Sequence, residues 1–351
     1  MKRQLLGVAA ILLSISTYAQ DNPLWMRYCA ISPDGTTIAF TYKGDIYTVP
    51  STGGRASQIT TNPAHDTKPI WSPDGKKIAF ASDRMGSMDI FEVNKEGGIP
   101  KRLTTHSGNE TPVAYKDAGH ILFLANIMPT AEDAQFPSGQ FQQVYEVNTE
   151  GGRPILFSSM PMEDISINHT GNTLLYHDKK GYEDPWRKHH TSSITRDIWL
   201  CSLNGNRTFR KQTAFNGEDR TPVWASDDKS FYYLSEEKGS FNIFKRDIDG
   251  NTSKQITNHT KHPVRFLSAA SNGTLCYGYD GEIYTVKEGA IPQKVQISIV
   301  TDKNDKDLIR QIKRSGATEI SLSPDAKEIA FVLRGDVYVL SLIHISEPTR
   351  P

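Results

Sequence analysis

The chain has no excess charge of either sign. Its 351 residues include 40 Lys and Arg and 40 Asp and Glu, so the net charge is zero. A nucleic-acid-binding surface needs a basic excess, and we therefore expect no nucleic-acid partner. Long apolar runs are also scarce: hydrophobic residues make up 37%, and the run Leu5–Ile15 is too short to span a bilayer. We expect no membrane span after removal of a signal peptide.

Cysteine is rare as well. The three cysteines Cys29, Cys201 and Cys276 lie far apart in the sequence. An oxidising compartment would permit a disulfide, but an odd count leaves at least one thiol free. Because Cys201 and Cys276 occupy apolar strand positions, we interpret the cysteines as small buried hydrophobic residues.

Catalytic signatures are missing from the sequence. It contains no Gly-x-Ser-x-Gly elbow, no His-Glu-x-x-His, no phosphate-binding loop and no dinucleotide fingerprint. Its ten histidines show no recognisable catalytic spacing. We therefore predict no catalytic residue, no metal site and no cofactor in this chain.

The N-terminus is typical of a secretory signal peptide. Lys2 and Arg3 precede the apolar run, and Thr17-Tyr18-Ala19 offers small residues for signal peptidase. We predict a signal peptide over residues 1–19 and a periplasmic or secreted mature protein.

A short unit repeats six times between Ala30 and Val300 and begins again near the end. The unit opens on a turn such as Ser32-Pro33-Asp34-Gly35 and continues into an apolar strand. A strand such as Asp45-Ile46-Tyr47 comes next, then a glycine-rich hairpin and a fourth strand. A period near 40 residues made of strands and turns is the signature of a β-propeller.

The repeats predict an all-β fold with a six-bladed propeller of four-stranded blades over residues 20–300. We place the blades at 30–61, 69–105, 112–158, 164–214, 222–258 and 266–300. The charged stretch 301–318 is interpreted as a linker, and 319–339 opens either a seventh blade or a second propeller, which the long linker favours. Residues 340–351 resemble translated sequencing-adapter DNA, so we exclude them and expect the natural protein to continue past Val339.

Two blades carry long insertions between their middle strands, at Asn126–Gln142 and Lys179–Arg196. Such loops are where propellers commonly gain function. The second one mixes aromatic and charged groups and is a candidate for docking a partner domain or lining a substrate passage, although a self-packed loop with a solvated charge run is the favoured interpretation. Its candidate residues are Tyr182, Glu183, Asp184, Trp186, Arg187, His189 and His190. The two adjacent histidines point apart in an extended chain, and nothing near them completes a zinc spacing.

Four acidic residues precede the innermost strands of successive blades. They are Asp66, Glu110, Asp164 and Asp219, and His262 interrupts the series in blade six. At a channel mouth they would form a partial acidic ring that attracts a peptide amino terminus or a cation. Alternatively, each carboxylate accepts backbone hydrogen bonds from the neighbouring blade and holds the blades together.

From Asp21 to Val339 the chain resembles the N-terminal region of secreted bacterial tricorn-type serine peptidases. The matching segments are Asn22–Tyr28, Lys43–Tyr47, Gly181–Asp197 and His262–Leu267. The resemblance implies a six-bladed propeller followed by a second propeller, a PDZ-like domain and a peptidase domain related to C-terminal processing peptidases. The propellers would guide peptides toward a Ser/His centre beyond this chain, so we expect the chain alone to be inactive. Its expected partners are peptide substrates and that peptidase domain, with homo-oligomerisation left open.

Two other functions fit a propeller. One is a TolB-like periplasmic protein-binding module, and the other is the propeller of a prolyl-oligopeptidase-like enzyme. The segment after Val339 discriminates these two functions from the tricorn-type one. A tricorn-type peptidase would have a peptidase core there, a TolB-like module would stop soon after the propeller, and a prolyl-oligopeptidase-like enzyme would have a Gly-x-Ser-x-Gly elbow.

Overall fold

The computed structural model describes residues 23–127, 141–182, 186, 191–300 and 315–341. Within these residues every regular element is a β-strand, as the repeats predict. Among them no helix has the length and apolar character needed to cross a membrane.

The first three blades are antiparallel four-stranded sheets, each built from consecutive strands of the chain. Blade 1 has β1 (Arg27–Ile31), β2 (Thr37–Tyr42), β3 (Asp45–Pro50) and β5 (Ser57–Gln58), with β4 (Gly54–Arg55) in its outer hairpin; blade 2 has β6 (Asp66–Trp71), β7 (Lys77–Ser82), β8 (Asp89–Asn94) and β9 (Lys101–Arg102); blade 3 has β10 (Glu110–Asp117), β11 (His120–Ala125), β12 (Gln143–Asn148) and β13 (Ile155–Ser158).

Blades 4 to 6 repeat this arrangement. Blade 4 has β14 (Met162–Ile167), β15 (Thr173–Asp178), β16 (Ile198–Ser202) and β17 (Thr208–Lys211); blade 5 has β18 (Asp219–Trp224), β19 (Ser230–Ser235), β20 (Asn242–Asp247) and β21 (Ser253–Gln255); blade 6 has β22 (Arg265–Ala269), β23 (Leu275–Tyr279), β24 (Glu282–Val286) and β25 (Gln293–Lys294). The innermost strands begin one to three residues before the predicted blade starts.

A further three-stranded sheet lies beyond blade 6 in the chain, with β27 (Ala317–Leu322), β28 (Glu328–Leu333) and β29 (Asp336–Ser341). Its first strand is exposed throughout. The sheet starts two residues before the predicted boundary at 319 and runs two residues past Val339.

The Ser-Pro-Asp-Gly turn satisfies its own polar groups. In blade 2 the Ser72 hydroxyl donates to Asp74 at 2.7 Å, and that carboxylate accepts the Lys76 backbone N–H at 3.1 Å. Gly75 adopts φ 67°, a conformation that glycine takes without a Cβ clash. Because the turn is self-contained, it can repeat from blade to blade without help from its surroundings.

The second strand of each blade lies between two neighbouring blades. Side chains such as Phe40, Phe80, Phe123 and Tyr277 are fully buried there. Each pair of consecutive blades shares one apolar cluster, and a sixth cluster joins blade 6 to blade 1. The six blades therefore form a closed ring.

Ring closure uses few backbone bonds. The strand β26 (Ile297–Ser298), which comes after blade 6, pairs in parallel with β4 of blade 1. The Met26 N–H also donates to the Gly281 carbonyl at 3.2 Å. Since each sheet is made from one continuous stretch of chain, the apolar contact between blades 1 and 6 contributes most of the closing interface.

Candidate functional site: the central cavity

A cavity of about 540 Å³ lies where the six innermost strands converge. All six blades contribute to its wall, which places it on the axis of the ring. A volume in this range is typical of ligand-binding pockets. The cavity is therefore the candidate functional site of the propeller.

A bulge in the innermost strand positions the lining side chains. In five blades one non-glycine residue near the start of the innermost strand has a positive φ near 50°. It is the third residue of the strand, or the second in the shorter strands β1 and β22. The five residues are Tyr28, Lys68, Asp164, Thr221 and Phe266. The strand register shifts at each of these residues. Such a backbone conformation is strained for non-glycine residues, and bulges commonly redirect side chains at functional sites.

Blade 3 departs from this rule because Pro112 occupies the equivalent position, and proline cannot adopt a positive φ. All six of these residues line the cavity. The sequence reasoning singled out Asp164 among them and missed the other five, although a signal was available: in blades 2, 3 and 5 they stand two residues after the aligned acidic positions.

The structure separates the four predicted acidic residues into two groups. Asp66, Glu110 and Asp219 are the first residues of β6, β10 and β18, and all three are buried. Asp164 is the third residue of β14, and its side chain is 48% exposed. Of the four, Asp164 alone lines the described cavity, so these carboxylates are not brought together as one ring.

The three buried acids contact the preceding blade through the backbone. The N–H of Asp66 donates to the Gly44 carbonyl at 2.7 Å, and that of Glu110 donates to Met88 at 2.7 Å. Val264 makes the same bond in blade 6, to Phe241 at 2.9 Å. Because an apolar residue suffices, this blade-to-blade contact does not need the carboxylate.

The buried carboxylates differ in their surroundings. Asp66 accepts two hydrogen bonds from the Arg84 guanidinium, at 2.9 and 3.0 Å. Burial instead raises the pKa of Glu110 to about 7 and that of Asp219 to about 7. Around neutral pH these two groups are thus partly protonated.

A charged network forms one wall of the cavity, on blades 4 and 5. Glu163 accepts hydrogen bonds from the Lys179 ammonium at 2.7 Å and from His177 Nε2 at 3.2 Å. The buried Arg196 donates to the buried Glu218 at 2.6 Å. Burial alone would raise the pKa of Glu163, but the hydrogen bond from His177, with the charge and hydrogen bond of Lys179, holds it well below its ordinary value.

The orientation of the His177 ring is fixed from both sides. The Thr221 backbone N–H donates to His177 Nδ1 at 3.2 Å. In the neutral ring the proton therefore sits on Nε2, which faces Glu163. Thr221 also donates its hydroxyl to Asp164 at 2.6 Å, so the bulges of blades 4 and 5 are linked across the wall.

Basic side chains outnumber acidic ones around the cavity. Among the residues that the structure describes, five basic ones line it together with two acidic ones: Lys68, Lys179, Arg196, Arg220 and Arg265 against Glu163 and Asp164. The buried Glu218 behind the wall pairs with Arg196 and lies 3.6 Å from Arg220. The described part of the wall is still basic overall and favours anionic groups, whereas an acidic ring would favour cations.

The blade 4 insertion reaches the opposite side of the ring. The Trp186 carbonyl accepts a hydrogen bond from the Arg265 guanidinium at 2.8 Å. The guanidiniums of Arg27 and Arg265 lie 4.7 and 4.9 Å from the centre of the Trp186 ring, within cation–π range. Phe266 packs against the same indole at 6.0 Å and 70°. Trp186 thus lines the cavity beside blades 1 and 6.

The other predicted residues of the insertion fall into two sets. Tyr182 lines the cavity rim and is 90% exposed. Glu183, Asp184, Arg187, His189 and His190 lie outside the described residues. Within the described part of the chain, no group of three or more His, Cys, Asp and Glu residues is arranged to hold a metal ion.

Comparisons with known proteins match the chain that forms this cavity to one protein family. The family model described as the tricorn protease N-terminal beta propeller domain matches residues 23–290. Tricorn protease homolog 1 of Streptomyces coelicolor is 25% identical over 335 residues, which cover 93% of this chain and 30% of that protein. The tricorn protease homolog of Saccharolobus solfataricus is 27% identical over 331 residues, covering 90% of this chain and 29% of that protein.

Among solved structures, the crystal structure of the tricorn protease is similar, with a TM-score of 0.67 at 22% identity. The match covers 91% of this chain and 30% of that one. It supports the propeller fold. The chain spans about 30% of the length of these relatives.

Proposed function

Since the chain belongs to the tricorn protease N-terminal beta propeller family, we propose that it is the propeller portion of a tricorn-like serine peptidase. In this proposal the propeller admits peptides and assembles with a catalytic domain outside these residues. The observation that carries it is the axial cavity, whose wall is built by all six blades.

The cavity wall has the chemistry for peptide contact. Tyr28, Phe266 and Trp186 offer aromatic surfaces, while Lys68 and Arg265 offer positive charge. Aromatic faces contact many side chains with little selectivity, and cations attract carboxylates. Such a wall supports passage of peptides of varied sequence, with acidic groups favoured.

We further propose that the protein is exported to the periplasm or secreted. The support is the basic N-terminus with Lys2 and Arg3, the apolar run and the small residue Ala19. N-terminal sequencing of the exported protein tests this. A mature chain that starts at Gln20 agrees with it, and an intact Met1 in the soluble cell fraction contradicts it.

The peptidase proposal is tested by sequencing the source gene across the Val339 codon and expressing the whole reading frame. We expect a second propeller and a Ser/His peptidase domain, with peptide hydrolysis by the expressed product. Replacement of the catalytic serine by alanine should abolish hydrolysis and serves as the control for contaminants. A frame that encodes a different domain, or a product without peptidase activity, would overturn the proposal.

A further inference from the structure

Two cysteines that are remote in sequence meet where the ring closes. Cys29 lies on β1 of blade 1 and Cys276 on β23 of blade 6. Both are buried in the apolar cluster that joins these two blades. The third cysteine, Cys201, is buried in a different cluster, between blades 3 and 4.

The hydroxyl of Ser268 shows how near the two cysteine backbones are. It lies 3.4 Å from the Cys29 carbonyl oxygen and 3.4 Å from the Cys276 carbonyl oxygen. The Ser268 hydroxyl oxygen also accepts a hydrogen bond from the Ile31 N–H at 3.0 Å. Ser268 thus bridges the innermost strands of blades 1 and 6.

The two thiols share one environment, because both side chains are buried in the same apolar cluster. Burial, and next the hydrogen bond with the Cys29 thiol, raise the pKa of the Cys276 thiol. Cys29 also directs its thiol to the Phe266 carbonyl at 3.4 Å. Two cysteines whose carbonyl groups both lie near one side chain, and whose own side chains share one buried cluster, are placed close enough for a disulfide across this interface to be proposed.

We propose that Cys29 and Cys276 form a disulfide that joins blade 1 to blade 6 and closes the ring covalently. Noncovalent closure relies on one apolar cluster, a two-residue parallel pairing and a few isolated hydrogen bonds. A crosslink here would enclose nearly the whole propeller in one loop, and long loops gain most from crosslinking in the chain-entropy description. Cys201 is left as the free thiol that the odd cysteine count requires.

The oxidation proceeds by thiol–disulfide exchange with a disulfide-containing oxidant. The thiolate of one cysteine attacks the oxidant, forms a mixed disulfide and releases one thiol. The second cysteine then attacks its partner's sulfur and releases the other thiol. The protein loses two protons and two electrons, and the oxidant is reduced to two thiols.

Burial determines when this exchange occurs. A thiol with a raised pKa holds little thiolate, and the thiolate is the attacking species. The exchange is therefore faster while blade 1 is undocked, during folding, than in the closed ring. Oxidation of the folded, reduced protein should be slow.

The test refolds the full 351-residue chain in a mixture of oxidised and reduced glutathione, so that its outcome does not depend on the proposed export. The product is digested without reduction and analysed by mass spectrometry. We expect one crosslinked peptide pair that contains Cys29 and Cys276, with Cys201 alkylated. The oxidised protein should melt about 5–10 °C above the dithiothreitol-treated protein.

Serine variants separate this crosslink from other redox effects. Cys201→Ser is the matched control and should keep the redox-dependent melting shift. Cys29→Ser and Cys276→Ser should each lose it. If either variant fails to fold, the wild-type peptide map still decides the question.

The proposal is overturned if the correctly refolded wild-type protein yields both Cys29 and Cys276 as alkylated thiols. A crosslink to Cys201 would also overturn it, as would an unchanged melting shift in Cys29→Ser.

Discussion

The guanidinium of Arg196 and the carboxylate of Glu218 are 2.6 Å apart and both are buried. Arg196 closes the insertion of blade 4, and Glu218 directly precedes the first strand of blade 5. The pair therefore connects two blades at the edge of the cavity and couples the insertion to the ring.

Removal of one partner of this pair should destabilise the propeller. Glu218→Gln removes the shorter of the two ion pairs of the buried Arg196 and leaves only Glu163, at 3.6 Å, so we expect a cost near the lower end of the range for breaking a buried pair, about 3 kcal/mol. Urea unfolding of the purified chain measures the change. Asp249→Asn, which removes the exposed partner of Arg210, is the control and should cost less than about 1 kcal/mol. Equal effects of the two substitutions would contradict the structural importance of the buried pair.

The pH dependence of stability should change when Glu110 is replaced. Its pKa rises from an ordinary 4.5 to about 7 in the folded state, so its stabilising contribution is present below about pH 4.5 and lost as the pH rises through 7. In the Glu110→Gln variant this position does not ionise, so the variant does not lose stability there as the pH rises. Relative to wild type, the variant should gain up to about 3 kcal/mol between about pH 4.5 and pH 8. Urea unfolding at both pH values measures it, and a constant difference would show that Glu110 ionises normally.

The propeller should fold without the residues C-terminal to it. A chain from Gln20 to Thr301 contains all six blades and the closing strand. We expect a far-ultraviolet circular dichroism spectrum of β-structure, a cooperative melt and no peptidase activity. A substantial helical signal would contradict the fold, and sustained peptide cleavage by the clean protein would contradict a purely accessory role.

The basic wall of the cavity should favour acidic peptides. Lys68→Glu places a negative charge at an exposed lining position, so an acidic fluorescent peptide should bind at least about threefold more weakly, because like charges repel. Lys76→Glu changes an exposed lysine that pairs with Asp74 on a turn of the same blade and is the control. Fluorescence anisotropy with acidic and basic peptides of equal length measures both. Equal binding of an acidic peptide by the two variants would show that the cavity does not select it.

Local chemistry made much of the fold predictable. Turns such as Ser72-Pro73-Asp74-Gly75 close with their own hydrogen bonds, and strands such as Ile78–Phe80 are apolar because both faces are covered. The aligned acids of blades 2, 3 and 5 also occupy equivalent strand positions. Asp164 does not, because the position equivalent to Asp66 and Asp219 in blade 4 is Met162, and Asp164 stands two residues later at the bulge.

The strands, the turns and the repeat can all be read from the amino-acid sequence, because each depends on neighbours within a few residues. The contacts around the ring emerge only once the blades pack: the bulged residues on the axis, Trp186 beside Arg27, and Cys29 in one buried cluster with Cys276. These contacts join segments from different blades, and no local pattern encodes them. Their partners are set by the number of blades and by the packing that brings the last blade against the first.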